Sequence, residues 1–115
     1  MKNFAFVSRH QPTVGQLLIA AMGDINLVPV GDRDAFSIDP AEFAQYEGVV
    51  VVHPAAALRL MAAGKYVGVF ENESRAAEGQ KPTFEAARLH VFAEVGSHDP
   101  GFELIQHRFD ASGRI

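Results

Sequence analysis

Hydrophobic positions along the chain gather into four short runs, Phe4–Val7, Ile25–Val30, Val49–Val52 and Tyr66–Phe70. Each has the length of a β-strand. The third is four consecutive valines, and an unbroken β-branched run is expected of a strand covered on both faces. Val51 is therefore expected in the core. Between the runs lie segments with helical periodicity. Val14, Leu17, Leu18, Ala21 and Met22 have the spacing of one buried helical stripe, with Gly23 as the stop. Asp39-Pro40-Ala41-Glu42 reads as an N-cap, a proline at the first helical position and an acidic residue closing a capping box. Phe43 and Tyr46 supply the apolar contacts of this short second helix, and Gly48 ends it. A third helix begins at Pro54, presents Ala57, Leu58, Met61 and Ala62 on one face, and stops at Gly64.

Strand, helix and strand in succession, three times over and with long connections, indicate right-handed parallel crossovers. The expected fold is α/β: a single Rossmann-like domain over residues 1–115 with a mainly parallel sheet of order about 2-1-3-4. Three helices flank it and the first strand is central. Residues 72–83 are polar, contain Gly79 and Pro82, and read as a loop. Beyond them Ala87, Leu89, Val91, Ala93 and Val95 alternate with Arg88, His90, Phe92 and Glu94, a strand pattern that a helix could also tolerate. Phe102–Phe109 is a second strand candidate, and Ser97-His98-Asp99-Pro100-Gly101 between the two is turn chemistry. A C-terminal β-hairpin on the sheet edge, followed by a frayed tail, is the expectation.

Composition narrows the possible roles. With 115 residues, 48% hydrophobic and 21% charged, the chain can build one globular core and not two. It has no cysteine, which excludes disulfides and thiolate metal sites. Net charge is −4 with scattered Lys and Arg, so no basic face offers itself to duplex DNA or RNA. One small anionic ligand held by a few local donors remains compatible with that balance. The opening apolar run is too short for a signal peptide, and Val14–Met22 is too short to span a membrane. A cytoplasmic protein without membrane partners is expected.

In an open parallel sheet, ligands bind beyond the carboxyl ends of the strands, where strand order reverses. For the expected order, that crevice lies between the loop Ser8-Arg9-His10-Gln11-Pro12-Thr13 and the His53-Pro54 turn, with Glu71, Asn72, Glu73, Ser74 and Arg75 after the fourth strand. Polar and titratable groups thus converge over helix N-termini, whose free amides favour anions. Imidazole titrates near neutrality and guanidinium grips phosphate. Each residue also has a structural role open to it. Thr13 and Gln16 form a capping box, His53 occupies an N-cap position, and Arg75 can be a solvated loop residue. His10, His53 and Glu71 could in principle meet around a metal, but no pair has helical His-x-x-x-His spacing, and neither metal nor cofactor is expected. Gly-x-Gly-x-x-Gly, Walker and Gly-x-Ser-x-Gly motifs are all missing from the sequence.

The motif His10-Gln11-Pro12-Thr13-Val14-Gly15-Gln16, a His-x-x-Thr-x-x-Gln that opens the first helix after a short apolar strand, resembles the small stand-alone Rossmann-like accessory proteins of CRISPR systems. The lead-in Val7-Ser8-Arg9-His10 is similar to one subgroup of them, and Pro82-Thr83-Phe84-Glu85 to another. Members related to CARF domains bind cyclic oligoadenylate messengers, and several are ring nucleases that degrade them without metal. The resemblance implies attack by a ribose 2′-hydroxyl on the neighbouring phosphate, with alignment of that attack and stabilisation of the developing charge supplied by the protein. On that reading Arg9 and Arg75 stabilise charge, His10 or His53 acts as general acid–base, and Ser8, Thr13 and Asn72 hold phosphate or ribose. A cyclic ligand has rotational symmetry, so a two-fold homodimer is also implied.

Three functions therefore stand side by side. One is a sensor or enzyme acting on a cyclic or other small nucleotide, in CRISPR-type antiviral defence if the resemblance holds. Another is a non-catalytic interaction module of phage or plasmid type, and the last a different small-molecule enzyme on the same scaffold. Convergent Arg and His at a dimer cleft would mark the first, a flat apolar patch with a closed crevice the second, and a bound metal near His10 and His53 the third.

Overall fold

The computed structural model describes residues 1–63, 65–75, 79 and 83–92, with backbone alone at 73–75 and 83–85. Among these residues five strands form one sheet: β1 (Lys2–Val7), β2 (Ile25–Gly31), β3 (Gly48–Val50), β4 (Tyr66–Arg75) and β5 (Thr83–Phe92). Their order is β2-β1-β3-β4-β5. The first four run parallel, while β5 returns antiparallel to β4. The chain is thus α/β with a mostly parallel sheet.

Alternation along the strands divides the core between the two sheet faces. Phe4, Phe6, Ile25, Leu27, Val50, Leu89 and Val91 point to one face, where Ile19 and Ala20 of helix α1 (Val14–Met22) cover them. Ala5, Val7, Val49, Val51 and Val67 point to the other, under Ala56, Ala57 and Leu60 of helix α2 (Pro54–Ala62) and under Phe43. Val51 is 2% exposed and donates its N–H to the Gly68 carbonyl, so it is buried although β3 itself ends at Val50. Val52 has already turned outward.

Both helices sit rotated from their expected phase. The stripe Val14, Leu17, Leu18, Ala21 and Met22 faces solvent, and the buried positions of α1 are Ile19 and Ala20. On α2 the buried set is Ala56, Ala57 and Leu60, while Leu58 is exposed and Met61 half-buried. Small residues let a helix axis approach the sheet closely, and here the alanines take the contact. In α1, Val-Gly-Gln-Leu-Leu-Ile-Ala-Ala-Met contains no charged residue, and its Gln16 is engaged in the capping box with Thr13. Nothing polar in that sequence fixes which side faces water.

Two further expectations are corrected. The short second helix is a 3-10 turn, η1 (Pro40–Phe43), so among the described residues the sheet is flanked by two α-helices and not three. Asp39 caps it as expected, accepting the Ala41 N–H at 3.0 Å. Glu42 does not close a capping box, because its carboxylate accepts from Arg33 at 2.9 Å. The loop expected over 72–83 is strand at both of its ends: β4 continues to Arg75 and β5 starts at Thr83, and the two pair antiparallel as a hairpin. A bulge accommodates it. Glu71 pairs with Arg88 and Asn72 with Ala86, leaving Ala87 as the extra residue, and Ala86 and Ala87 are both buried in consequence. The alternation holds from Ala87 to Phe92. Residues 93–95 and the strand expected over 102–109 lie outside the described residues.

At the opposite edge, β2 carries Pro29 and a register shift that sets Val7 against Gly31, whose φ is +81°. An edge strand is where a residue with no N–H is tolerated.

Candidate functional site

The parallel strands β1 and β3 are neighbours and both end at the same edge, so the Ser8–Thr13 loop and the His53–Pro54 turn emerge side by side. Local hydrogen bonds explain how each loop is held. The Ser8 hydroxyl accepts the His10 N–H at 3.1 Å, which turns the chain out of β1. Thr13 Oγ1 accepts the Gln16 N–H at 3.1 Å, and Gln16 Oε1 accepts the Thr13 N–H at 2.9 Å. Arg9 lies 3.9 Å from Asp32 in the loop after β2, with both side chains well exposed. The His10 ring is exposed.

His53 is the N-cap of α2. Its Nδ1 accepts the Ala55 N–H at 3.1 Å, so that nitrogen carries no proton and the neutral ring presents N–H at Nε2. Phe36 approaches its ring edge-on, with centroids 5.8 Å apart. Among the described residues no hydrogen bond, ion pair or ring contact joins His53 to His10. Asn72 and Arg75 belong to the hairpin arm. Asn72 is exposed past the bulge. Arg75 stands seven residues beyond Gly68, the last β4 residue paired with β3, which is roughly 20 Å along an extended strand. Among the described residues no group of three His, Asp or Glu gathers as a metal set.

At this edge a cavity of about 370 Å³ lies between α2 and the hairpin. Its walls are Val51 and Val52 after β3, Pro54, Ala57, Leu58 and Met61 of α2, Val69 of β4, and Phe92 of β5. His53 and His90 are the two polar side chains in its lining. The volume lies within the range of small-ligand sites. Val52 and Leu58 are more than half exposed, as is Phe36 beside His53, so apolar surface continues from the cavity onto the rim.

A polar ladder bounds the groove along the hairpin. Val69 pairs with His90 and Glu71 with Arg88. The Glu71 carboxylate, which can only accept, takes the His90 Nε2–H at 2.9 Å and lies 3.7 Å from Arg88. The hydrogen bond from His90 holds the Glu71 carboxyl below its ordinary value of 4.5, and the Arg88 charge adds to it. His90 and Phe92 stack with centroids 6.5 Å apart, so one face of β5 presents Arg88, His90 and Phe92 in sequence.

Of the residues singled out in the sequence, His53 lines the groove, while Ser8, Arg9, His10 and Thr13 stand on the neighbouring loop. Val52, Leu58, Met61, Val69, His90 and Phe92 were not singled out as site residues. His90 and Phe92 were nevertheless legible as one strand face in the alternation from Ala87. No helix among the described residues is long and apolar enough to cross a membrane. Comparisons with protein-family models, curated proteins and solved structures return no match to this chain.

Proposed function

We propose that this chain is a non-catalytic binding domain on a Rossmann-like scaffold, and that the groove between α2 and β5 receives apolar side chains of a partner protein. The observation that carries this reading is the carbon-lined cavity of about 370 Å³, open at a rim where Phe36, Val52 and Leu58 stand exposed. A site built to orient a polar substrate needs several convergent polar groups on its walls. This groove offers two imidazoles at its border. His53 is already committed at Nδ1 to the helix cap, and His90 donates to Glu71. Each Leu- or Phe-sized anchor buried there is worth about 1.5–3 kcal/mol before the cost of association, so several such anchors together make a specific, reversible contact.

Panning a random peptide display library against the wild type and Leu58→Asp tests the reading. Leu58 is 53% exposed, so the substitution spares the core while placing a carboxylate on the groove wall. Peptides with spaced aliphatic or aromatic residues are expected to enrich on the wild type and to be lost on L58D. Equal recovery on both proteins, or no enrichment, sinks the proposal.

A second reading is favoured by a different observation. The Ser8–Thr13 loop and the His53 turn lie together beyond β1 and β3, each leading into a helix N-terminus. That is the placement used for small anionic ligands in sheets of this kind, and it keeps a cyclic or other small nucleotide as the alternative ligand. Incubation with cyclic oligoadenylates of several ring sizes, with and without EDTA, separates the two. Binding abolished by Arg9→Ala and His10→Ala, but indifferent to L58D, would select the nucleotide.

A further inference from the structure

The outward face of α1 is apolar from end to end. Val14 is 73% exposed, Leu17 43%, Leu18 37% and Met22 55%, with Ala21 exposed among them. Positions 14, 17, 18, 21 and 22 follow the i, i+3, i+4, i+7, i+8 spacing of a contact stripe, which normally faces a core. Here the core side is taken by Ile19 and Ala20. The helix is firmly started by its complete capping box, so this is a fixed surface and not a fraying end. Contiguous exposed apolar area of a few hundred Å² marks an interaction site on a soluble domain.

We infer that this stripe pairs two copies of the chain about a two-fold axis, α1 against α1. Charge selects the occupant. The chain carries −4 overall, yet Val14–Met22 contains no charged residue, so two acidic copies can meet there without setting like charges against each other. An uncharged stripe equally gives a charged partner nothing to recognise. Antiparallel pairing centred near Leu18 sets Val14 of one copy against Met22 of the other, small against large. It also places each helix N-terminus beside the opposite C-terminus, a favourable arrangement of their dipoles. The stripe alone buries less than the ~1,200–2,000 Å² of a standard interface, so the dimer forms weakly and its population follows concentration. This surface and the α2 groove lie on opposite faces of the sheet, and neither inference depends on the other.

Sedimentation velocity across about 5–500 µM tests the pairing on the whole chain. The weight-average mass is expected to rise toward twice the monomer with concentration. Leu17→Glu is expected to raise the dimer dissociation constant by at least tenfold, with an unchanged circular dichroism spectrum. Leu18→Glu and Leu18→Lys should each be monomeric alone and recover the dimer when mixed, because residue 18 sits near the axis and meets its counterpart. A wild type that stays monomeric throughout overturns the proposal and leaves the stripe to a different protein. A dimer that L17E does not weaken, or mixed Leu18 variants that fail to recover it, overturns the assigned face.

Discussion

Gly48 opens β3 beneath the ring of Phe4, and adding one methyl there is a sharp test of how the sheet centre is packed. A Cβ on Gly48 would lie 2.5 and 2.6 Å from Phe4 Cε2 and Cζ and 2.8 Å from the Tyr66 carbonyl oxygen. Phe4 is fully buried and ringed by Phe6, Ile25 and other core side chains, so its ring cannot swing aside without disturbing them. The Tyr66 oxygen belongs to the β3–β4 ladder and cannot move independently. Overpacking of this kind costs about 1–3 kcal/mol. Removing glycine freedom from the unfolded chain returns less than about 1 kcal/mol. Since Gly48 has no positive φ, backbone strain adds nothing and the effect is steric alone. At roughly 4 °C per kcal/mol for a domain of this size, Gly48→Ala should lower Tm by several degrees. A double-mutant cycle with Phe4→Leu, which deletes the clashing ring atoms, should show a coupling of about 0.5–3 kcal/mol. Rescue will be partial because the Tyr66 contact remains. If G48A melts within a degree of the wild type, or the two substitutions are additive, the close approach of ring and strand is refuted.

Two other expectations follow from side chains already placed. His53→Ala should cost about 0.5–2 kcal/mol in chemical denaturation by removing the α2 cap, and His53→Asn should restore most of it; equal losses in both would refute the capping role. Glu71 has a depressed folded pKa, so its stabilising contact is complete above 4.5 and is lost as pH falls through the lower folded value; Glu71→Gln should flatten the fall in Tm below pH 4.5, and parallel Tm–pH curves for the two proteins would refute that coupling.

The central strands were plain in the sequence because Phe4–Val7 and the valine run are apolar on both faces, and an element buried on both sides needs no phase. Helix phase was illegible for the complementary reason. Without a charge to mark the wet side, α1 reads as apolar in every direction, and the choice between Leu17–Leu18 and Ile19–Ala20 is made by how near the sheet lies. The extension of β4 was hidden by composition. Glu71-Asn72-Glu73-Ser74-Arg75 looks like a loop, yet it is strand because β5 pairs with it across the bulge. Of the groove, only His53 stood out, since a wall formed by Leu58, Val69 and Phe92 carries no chemical signature until the tertiary fold sets them side by side.

Pro29 carries a consequence for how the molecule behaves in a crowded solution. Its strand, β2, is the outermost parallel strand among the described residues, and such a border ordinarily offers a ladder of free amides on which a stray extended segment can grow. A residue without an amide hydrogen interrupts that ladder, and the irregular step to Gly31 bends the border just beyond it. The protein thus keeps an apolar helix face on display while its sheet margin at β2 is a poor seed for fibrillar growth. Contacts made through that helix face are thereby kept from running on into β-aggregates along this border.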